Sequence, residues 1–175
     1  GLDLHVDPAD MVERKLAIAQ ALAEIPSDKL RVARVDFSTA FVPALAGAGF
    51  ESDSYTSWSH PIADTVVGLK IQAFDPTHPL FVKYVDRLRP LLDAWSWDTF
   101  LPCLADYLGP LDVIAAMIGP QALALEMYEN PEEVCRVAME AAAFHRQLLT
   151  FELELHEKAG MTEGVTDVFS TWLPG

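Results

Sequence analysis

The chain has 175 residues, 51% of them hydrophobic, and its 12 Lys and Arg residues against 26 Asp and Glu residues give a formal net charge of −14. This much apolar sequence can bury a sizeable core, so we expect one globular unit. An acidic surface repels phosphate backbones and anionic lipids, which argues against nucleic-acid and membrane-surface partners. No apolar run reaches the roughly 18 residues that a membrane span needs, and we expect a cytoplasmic protein.

The first predicted element is a helix that begins after Asp7. Asp7 is expected to cap it, Pro8 to take the first helical position and Asp10 to lie near the positive end of the helix dipole. Apolar residues then recur at helical spacing until the helix ends near Ile25. We assign residues 1–29 to an N-terminal helical extension.

The next stretch is predicted to hold the first strand. Residues 30–37, LRVARVDF, are rich in β-branched side chains and indicate a strand. Residues 38–49 are expected to form a loop that leads into a short helix. The polar and aromatic composition of residues 51–61 is typical of a loop, and residues 62–74 stay open between a strand and irregular structure.

A helix is predicted after the turn at residues 75–79, with a kink at Pro90. Residues 99–108, TFLPCLADYL, indicate a second strand. They are followed by a predicted helix over residues 109–118 and a short one over residues 121–128.

The clearest predicted element is the long helix that Asn130 caps and Gly160 closes, with Pro131 in its first position. Its apolar residues recur in steps of three and four: Val134, Val137, Ala141, Phe144, Leu148, Phe151 and Leu155. Further apolar positions widen this stripe beyond a coiled-coil seam, so we favour a helix that packs on a sheet. Residues 164–173 indicate a third strand.

Strands that alternate with long helices imply parallel βαβ units. A closed (β/α)₈ barrel needs eight strands and typically about 250 residues, which is more than this sequence offers. We therefore expect an α/β fold in which residues 30–175 form a partial TIM barrel, made of early βα units with long helices.

Three segments in this order resemble the uroporphyrinogen decarboxylase superfamily, which includes the corrinoid-linked methyltransferases. They are Asp36-Phe37-Ser38-Thr39 with Val42-Pro43-Ala44-Leu45, then Gly109-Pro110-Leu111-Asp112 with the later Tyr128-Glu129-Asn130-Pro131-Glu132, and finally Val168-Phe169-Ser170-Thr171-Trp172. The first is similar to the family's Phe-Ser-Asp motif and its Pro-x-x-Leu helix. The resemblance covers residues 30–175 and implies the barrel fold.

The sequence also departs from the decarboxylase itself. Thr39 stands where the family has the Asp that holds the pyrrole NH groups, and Ala116 stands where it has a Tyr. The family's Arg-rich segment before the first strand has no equivalent, since Arg31 and Arg34 lie on the predicted strand. The resemblance therefore implies methyl transfer or related one-carbon or tetrapyrrole chemistry, and not porphyrinogen decarboxylation.

Barrel enzymes place their active sites at the carboxyl ends of the strands, which defines the candidate residues here. The candidate catalytic residues are Asp36, Thr39 and Asp112, and the candidate substrate-binding residues are Ser38, His60, Tyr107, Thr171 and Trp172. Structural alternatives stay open: a polar strand end, a carboxylate at a helix N-terminus, a solvated loop histidine and a core tryptophan. The five histidines form no metal-binding motif, and the cofactor is left unknown.

The sequence thus predicts part of a barrel protein that acts on a small-molecule substrate. The alternative, from a different class, is a non-catalytic binding or assembly module of divergent barrel fold. An incomplete barrel exposes sheet edges and apolar helix faces. We therefore expect self-association or a partner chain that completes the barrel.

Overall fold

The computed structural model describes residues 1–27, 30–161, 164–166 and 171–173. The helices are α1 (Pro8–Ala23), α2 (Phe41–Leu45), α3 (Pro79–Ala94), α4 (Pro110–Ile118), α5 (Pro120–Glu129) and α6 (Pro131–Lys158). The strands are β1 (Val32–Ala33), β2 (Gly49–Ser52), β3 (Ser57–His60), β4 (Leu101–Pro102), β5 (Gly164–Thr166) and β6 (Thr171–Leu173). A 3₁₀ turn, Asp3–His5, precedes α1.

The described strands form three two-stranded sheets. The pair β1 and β4 is parallel, with Val32 opposite Leu101 and Ala33 opposite Pro102, which confirms a mixed α/β fold with a parallel crossover. Each of these strands is much shorter than the predicted 30–37 and 99–108. Within the described residues no strands close into a barrel, so the barrel itself remains a proposal.

The parallel pair tolerates Pro102 in β4, although proline has no backbone N–H to donate. The amides of Leu101 and Cys103 donate to the carbonyl groups of Arg31 (2.9 Å) and Ala33 (2.7 Å). Alternate residues of a strand point their amides to opposite sides, so the missing N–H of Pro102 faces away from β1. The ladder therefore loses no hydrogen bond on this side.

Two of the sequence predictions are wrong because antiparallel hairpins stand in their place. Residues 51–61, expected to be a loop, belong mostly to the antiparallel pair β2 and β3. The Asp53 carboxylate accepts the amides of Tyr55 (2.7 Å) and Thr56 (2.8 Å), which closes the turn between them. Residues 164–173, expected to be one strand, contain the antiparallel strands β5 and β6, and residues 167–170 lie outside the described part.

The helix predictions are largely confirmed, because local signals define these helices. Asp7 caps α1, and its Oδ1 accepts the Ala9 amide at 2.9 Å. Gly119, with φ of +89°, separates α4 from α5, a conformation that glycine adopts without strain. Asn130 is the N-cap residue of α6, as predicted, but its side chain forms no capping hydrogen bond: Nδ2 donates instead to Oε2 of Glu126 at 2.7 Å.

The main apolar core joins the helices to Ala33 of β1, and the N-terminal residues belong to it. Leu101 of β4 belongs to a second, smaller cluster with Cys103 and Met161. Leu4 and Met11 are buried in the same cluster as Leu88 of α3 and Phe144 of α6. Arg87 of α3 fixes the N-terminal segment by donating to the carbonyl groups of residues 3, 4 and 6. The residues before β1 thus pack directly on the rest of the structure.

Among the described residues, no single helix is long and apolar enough to cross a membrane. The pair α4 and α5 meets the length and composition requirement only together, and it bends by 110° at the break.

Candidate functional site

Three charged side chains meet just beyond the parallel pair of strands. Nη2 of Arg34 lies 4.0 Å from Oδ1 of Asp36, and Nη1 lies 3.6 Å from Oδ2 of Asp106. The three side chains are partly accessible, at 26%, 37% and 21%. One guanidinium between two carboxylates leaves a net negative charge, and partial exposure leaves donors and acceptors within reach of a ligand.

Asp36 also organises the chain that leaves β1. Its amide donates to Oδ2 of the buried Asp3 at 2.8 Å, and its carbonyl accepts the Asp3 amide at 2.9 Å. Its own Oδ1 accepts the Ser38 amide at 3.0 Å, which forms an Asx turn. Asp36 thus combines a local structural role with a place beside Arg34.

Ser38 and Thr39 follow in a tight turn that starts α2. Ser38 has a φ of +63°, a left-handed conformation that is uncommon for a residue with a Cβ. Its carbonyl accepts the Phe41 amide at 3.3 Å, and Thr39 is exposed to solvent. Both candidates therefore lie at the end of β1, on the turn that Asp36 closes.

Glu152 of α6 forms a buried hydrogen-bond centre next to this strand end. It is fully buried, and its Oε1 accepts the Tyr84 hydroxyl and the Ala105 amide, the latter at 2.9 Å. Its Oε2 accepts the Tyr107 hydroxyl at 2.7 Å. The candidate Tyr107 is therefore held by Glu152, and its neighbour Asp106 carries the carboxylate beside Arg34.

Burial dominates the electrostatics of this centre. It raises the pKa of Glu152 above its ordinary value, although the hydrogen bonds from Tyr84, Tyr107 and Ala105 oppose the shift. Burial and the nearby Glu152 carboxylate also raise the pKa values of both tyrosines far above their ordinary value. Both tyrosines are therefore protonated at neutral pH and act as hydrogen-bond donors.

Two histidines of α6 belong to the same region of the helix. His156 follows Glu152 by one turn and is 1% exposed, and neither of its ring nitrogens has a hydrogen-bond partner within the described part of the chain. Burial lowers its pKa to about 4, so the ring is neutral at neutral pH. The His145 ring lies 6.1 Å from the Tyr107 ring, and burial lowers its pKa as well.

The other candidate residues lie away from this group or on separate elements. Asp112 is exposed in the first turn of α4, where its Oδ2 accepts the Gly109 amide at 2.9 Å. This is the role of a carboxylate at a helix N-terminus, the structural alternative to a catalytic role. His60 is exposed on β3, with Nε2 2.7 Å from Oε2 of Glu51 on β2. Thr171 lies on β6 opposite Thr166; its side chain and that of Trp172 fall outside the described part of the structure.

Of the predicted set, the structure places Asp36, Ser38 and Thr39 on one turn at the end of β1, and Tyr107 follows Asp106 in the chain. The structure adds Arg34, Asp106 and Glu152, which the sequence analysis did not assign to the site. Glu152 and His156 interrupt the apolar stripe of the long helix at a spacing of four, the one sequence signal that points to them. In residues 1–27 and 30–161, with the short strands β5 and β6, no group of three or more His, Cys, Asp or Glu residues could hold a metal ion.

The fold and the site define a mixed α/β chain with polar side chains at the carboxyl ends of a parallel strand pair. Comparisons of the chain with protein-family models, with curated proteins and with solved structures find no match.

Proposed function

We propose that the chain supplies the first strands of a (β/α)₈-barrel enzyme whose small-molecule site lies at the carboxyl ends of β1 and β4. The observation that carries the proposal is the position of Arg34, between Asp36 and Asp106 at those ends. Parallel α/β folds bind their ligands at this end of the strands.

The substrate class rests on the resemblance to the uroporphyrinogen decarboxylase superfamily. It favours methyl transfer or related one-carbon or tetrapyrrole chemistry, with a corrinoid as the methyl carrier. A corrinoid carries amide groups around its ring. The carboxylates of Asp36 and Asp106 would accept hydrogen bonds from amide N–H groups, and Arg34 would donate to amide oxygens. Tyr107 follows Asp106 in the chain, and its hydroxyl donates to Glu152 at 2.7 Å.

Methylcobalamin is the probe that tests this proposal. Equilibrium dialysis against the full chain, read by visible absorbance, should show saturable binding. Arg34→Gln removes the guanidinium and should weaken binding about tenfold, the effect of losing one hydrogen bond to a charged group. The matched control is Arg89→Gln, since Arg89 is exposed on α3 and has the same charge.

Two outcomes would contradict the proposal. One is a folded chain that binds no methylcobalamin, and the other is an equal loss of affinity in both variants. Either result favours the second candidate, a non-catalytic binding or assembly module. That candidate is supported by the roles of Asp36 and Asp112 in a turn and a helix cap, which require no ligand.

A further inference from the structure

A cavity of about 410 Å³ lies between the N-terminal segment, α2, β2 and the start of α3. It shares no lining residue with the site at the ends of β1 and β4. Its walls are apolar, with Leu4, Phe50 and Leu80 contributing the largest apolar side chains. This volume falls in the range of small-molecule pockets, roughly 300–1,000 Å³.

The titratable side chains that line this cavity are all basic, although the chain as a whole is acidic. His5, His78 and Lys83 line it, and no carboxylate is among the described lining residues. With a formal net charge of −14, the chain has few cationic side chains to place in one pocket. Such a local excess of basic groups attracts anions.

The carboxylates near these histidines are occupied in turns of their own. Asp53, close to His5, accepts two amides of the β2–β3 turn. Asp75, close to His78, accepts both the amide (2.8 Å) and the hydroxyl (2.7 Å) of Thr77. Neither carboxylate lines the cavity.

The hydrogen bonds of His5 and His78 determine which of their ring nitrogens can donate to a ligand in the cavity. Nδ1 of His78 accepts the Leu80 amide at 3.2 Å, so the neutral ring carries its proton on Nε2 and can donate there. Nε2 of His5 lies 3.2 Å from Oγ of Ser52. Lys83 is exposed, and its ammonium group forms no ion pair with any described residue.

The wall that carries His5 is held in place before any ligand arrives. Nη2 of Arg87 donates to the carbonyl groups of Leu4 and Val6, both at 3.0 Å, on either side of His5. A ligand therefore meets a pocket whose backbone is already ordered, which lowers the entropic cost of binding.

From this arrangement we infer that the cavity binds a small organic anion with a short apolar tail. His78 and Lys83 bind the anionic group, and Leu4, Phe50 and Leu80 contact the tail. The shared chemistry is a carboxylate or a phosphate monoester on a hydrocarbon chain. Lys83 supplies a charge that either group recognises, so the identity of the head group is left to the experiment.

Three six-carbon probes test the inference: hexanoate, hexyl phosphate and the neutral hexanol. Each is titrated into the full chain, and amide chemical shifts are followed by ¹⁵N–¹H NMR. At least one anion should bind more tightly than hexanol, with the largest shifts at Phe50, Ser52 and Leu80. The more tightly bound anion identifies the head group. Equal binding of hexanol, or no saturable shift with either anion, would overturn the inference.

Two variants test which side chains bind the anionic group of the ligand. Lys83→Gln should weaken binding of the preferred anion about fivefold, the effect expected for one exposed ion pair, and should leave hexanol unchanged. His78→Asn keeps a side-chain acceptor for the Leu80 amide and removes the ring donor, so it should weaken the anion without unfolding α3. The matched control is Lys70→Gln, because Lys70 is exposed outside the cavity. An equal loss in that control would count against the proposed site.

Discussion

Glu152 replaces its hydration with three hydrogen bonds inside the protein. Tyr84 and Tyr107 donate through hydroxyl groups, and Ala105 donates through its backbone amide. The backbone N–H of Ala105 can only donate, and the two tyrosine hydroxyl groups, whose pKa values are raised, also donate. Glu152 fits these three donors because both oxygens of its carboxylate can accept hydrogen bonds. One carboxylate thus links α3, the segment after β4, and α6.

Replacement of this carboxylate by an amide tests its role. In Glu152→Gln the side-chain nitrogen can no longer accept from one of the tyrosines, and one buried donor loses its partner. We expect the free energy of unfolding to fall by about 1–3 kcal/mol. Urea denaturation measures the change. Glu154→Gln is the control, since that exposed residue pairs with Lys158 at 3.8 Å and should change stability by less than about 0.5 kcal/mol. Equal effects would contradict the proposed role of Glu152.

His156 makes stability depend on pH in a predictable direction. Burial lowers its pKa from the ordinary 6.5 to about 4, so between these values the unfolded chain binds a proton that the folded chain does not. Stability is therefore full above about pH 6.5 and falls as pH falls towards 4. At 1.36 kcal/mol per pKa unit, this histidine alone accounts for about 3 kcal/mol. His145, whose pKa is also lowered, acts in the same direction.

Leucine at position 156 removes this titration and also removes two buried nitrogens that have no hydrogen-bond partner among the described residues. Urea denaturation of His156→Leu and of the wild type at several pH values between about 7 and 4 should give curves that diverge with acid, the variant losing less stability. His60→Gln is the control, because His60 is exposed on β3. If the wild type and His156→Leu follow parallel curves, the burial of a neutral His156 does not control acid stability.

The long helix α6 shows what a sequence reveals about an element and what it conceals. Its apolar pattern correctly predicts the buried face as far as Leu148, but then it favours Phe151 and Leu155. In the structure Glu152 and His156 are the fully buried positions, and the two apolar residues are partly exposed. Hydrophobicity cannot identify a buried carboxylate, because its burial depends on donors that lie 45 to 68 residues away in the chain.

Strands were harder to predict than helices for a related reason. The caps and spacing of α1, α3 and α4 act within a few residues, so those helices are defined locally. The extent of β1 depends on how far β4 runs beside it, and the pairing of β2 with β3 depends on a turn that Asp53 closes. Residue composition alone makes 30–37 extended and 51–61 loop-like, and it carries no information on these partners.

At the scale of the whole molecule, the site also follows from topology. The resemblance to a barrel family predicts functional residues at the ends of strands, and Asp36 and Tyr107 lie near the ends of β1 and β4. Arg34 and Asp106 were not predicted as a pair, since 72 residues of chain separate them. They meet because the crossover through α2 and α3 brings a second strand parallel to the first, which places both carboxyl ends on one side.

Apolar side chains are exposed at the amino ends of β1 and β4, on the side opposite the proposed site. A cavity of about 500 Å³ opens there, with Leu22, Ile25 and Leu30 among its lining residues, and these side chains are 44%, 58% and 38% exposed. Exposed apolar surface of this kind favours association. In the described part of the chain the parallel sheet has two strands, and the edges of so small a sheet can pair with another chain. We therefore expect the chain to self-associate or to bind a partner chain, with a mass by light scattering above 19.3 kDa.

Serine substitutions distinguish association through this surface from non-specific association through other exposed apolar residues. Leu22→Ser with Ile25→Ser should shift the mass towards 19.3 kDa, because both changes remove apolar area at the same cavity. Leu125→Ser is the matched control, since Leu125 is 62% exposed on α5 and does not line that cavity. A wild-type chain that elutes as a monomer at every concentration would contradict self-association. An oligomer that survives the double substitution would instead place its interface elsewhere, at the strand edges of β1 and β4.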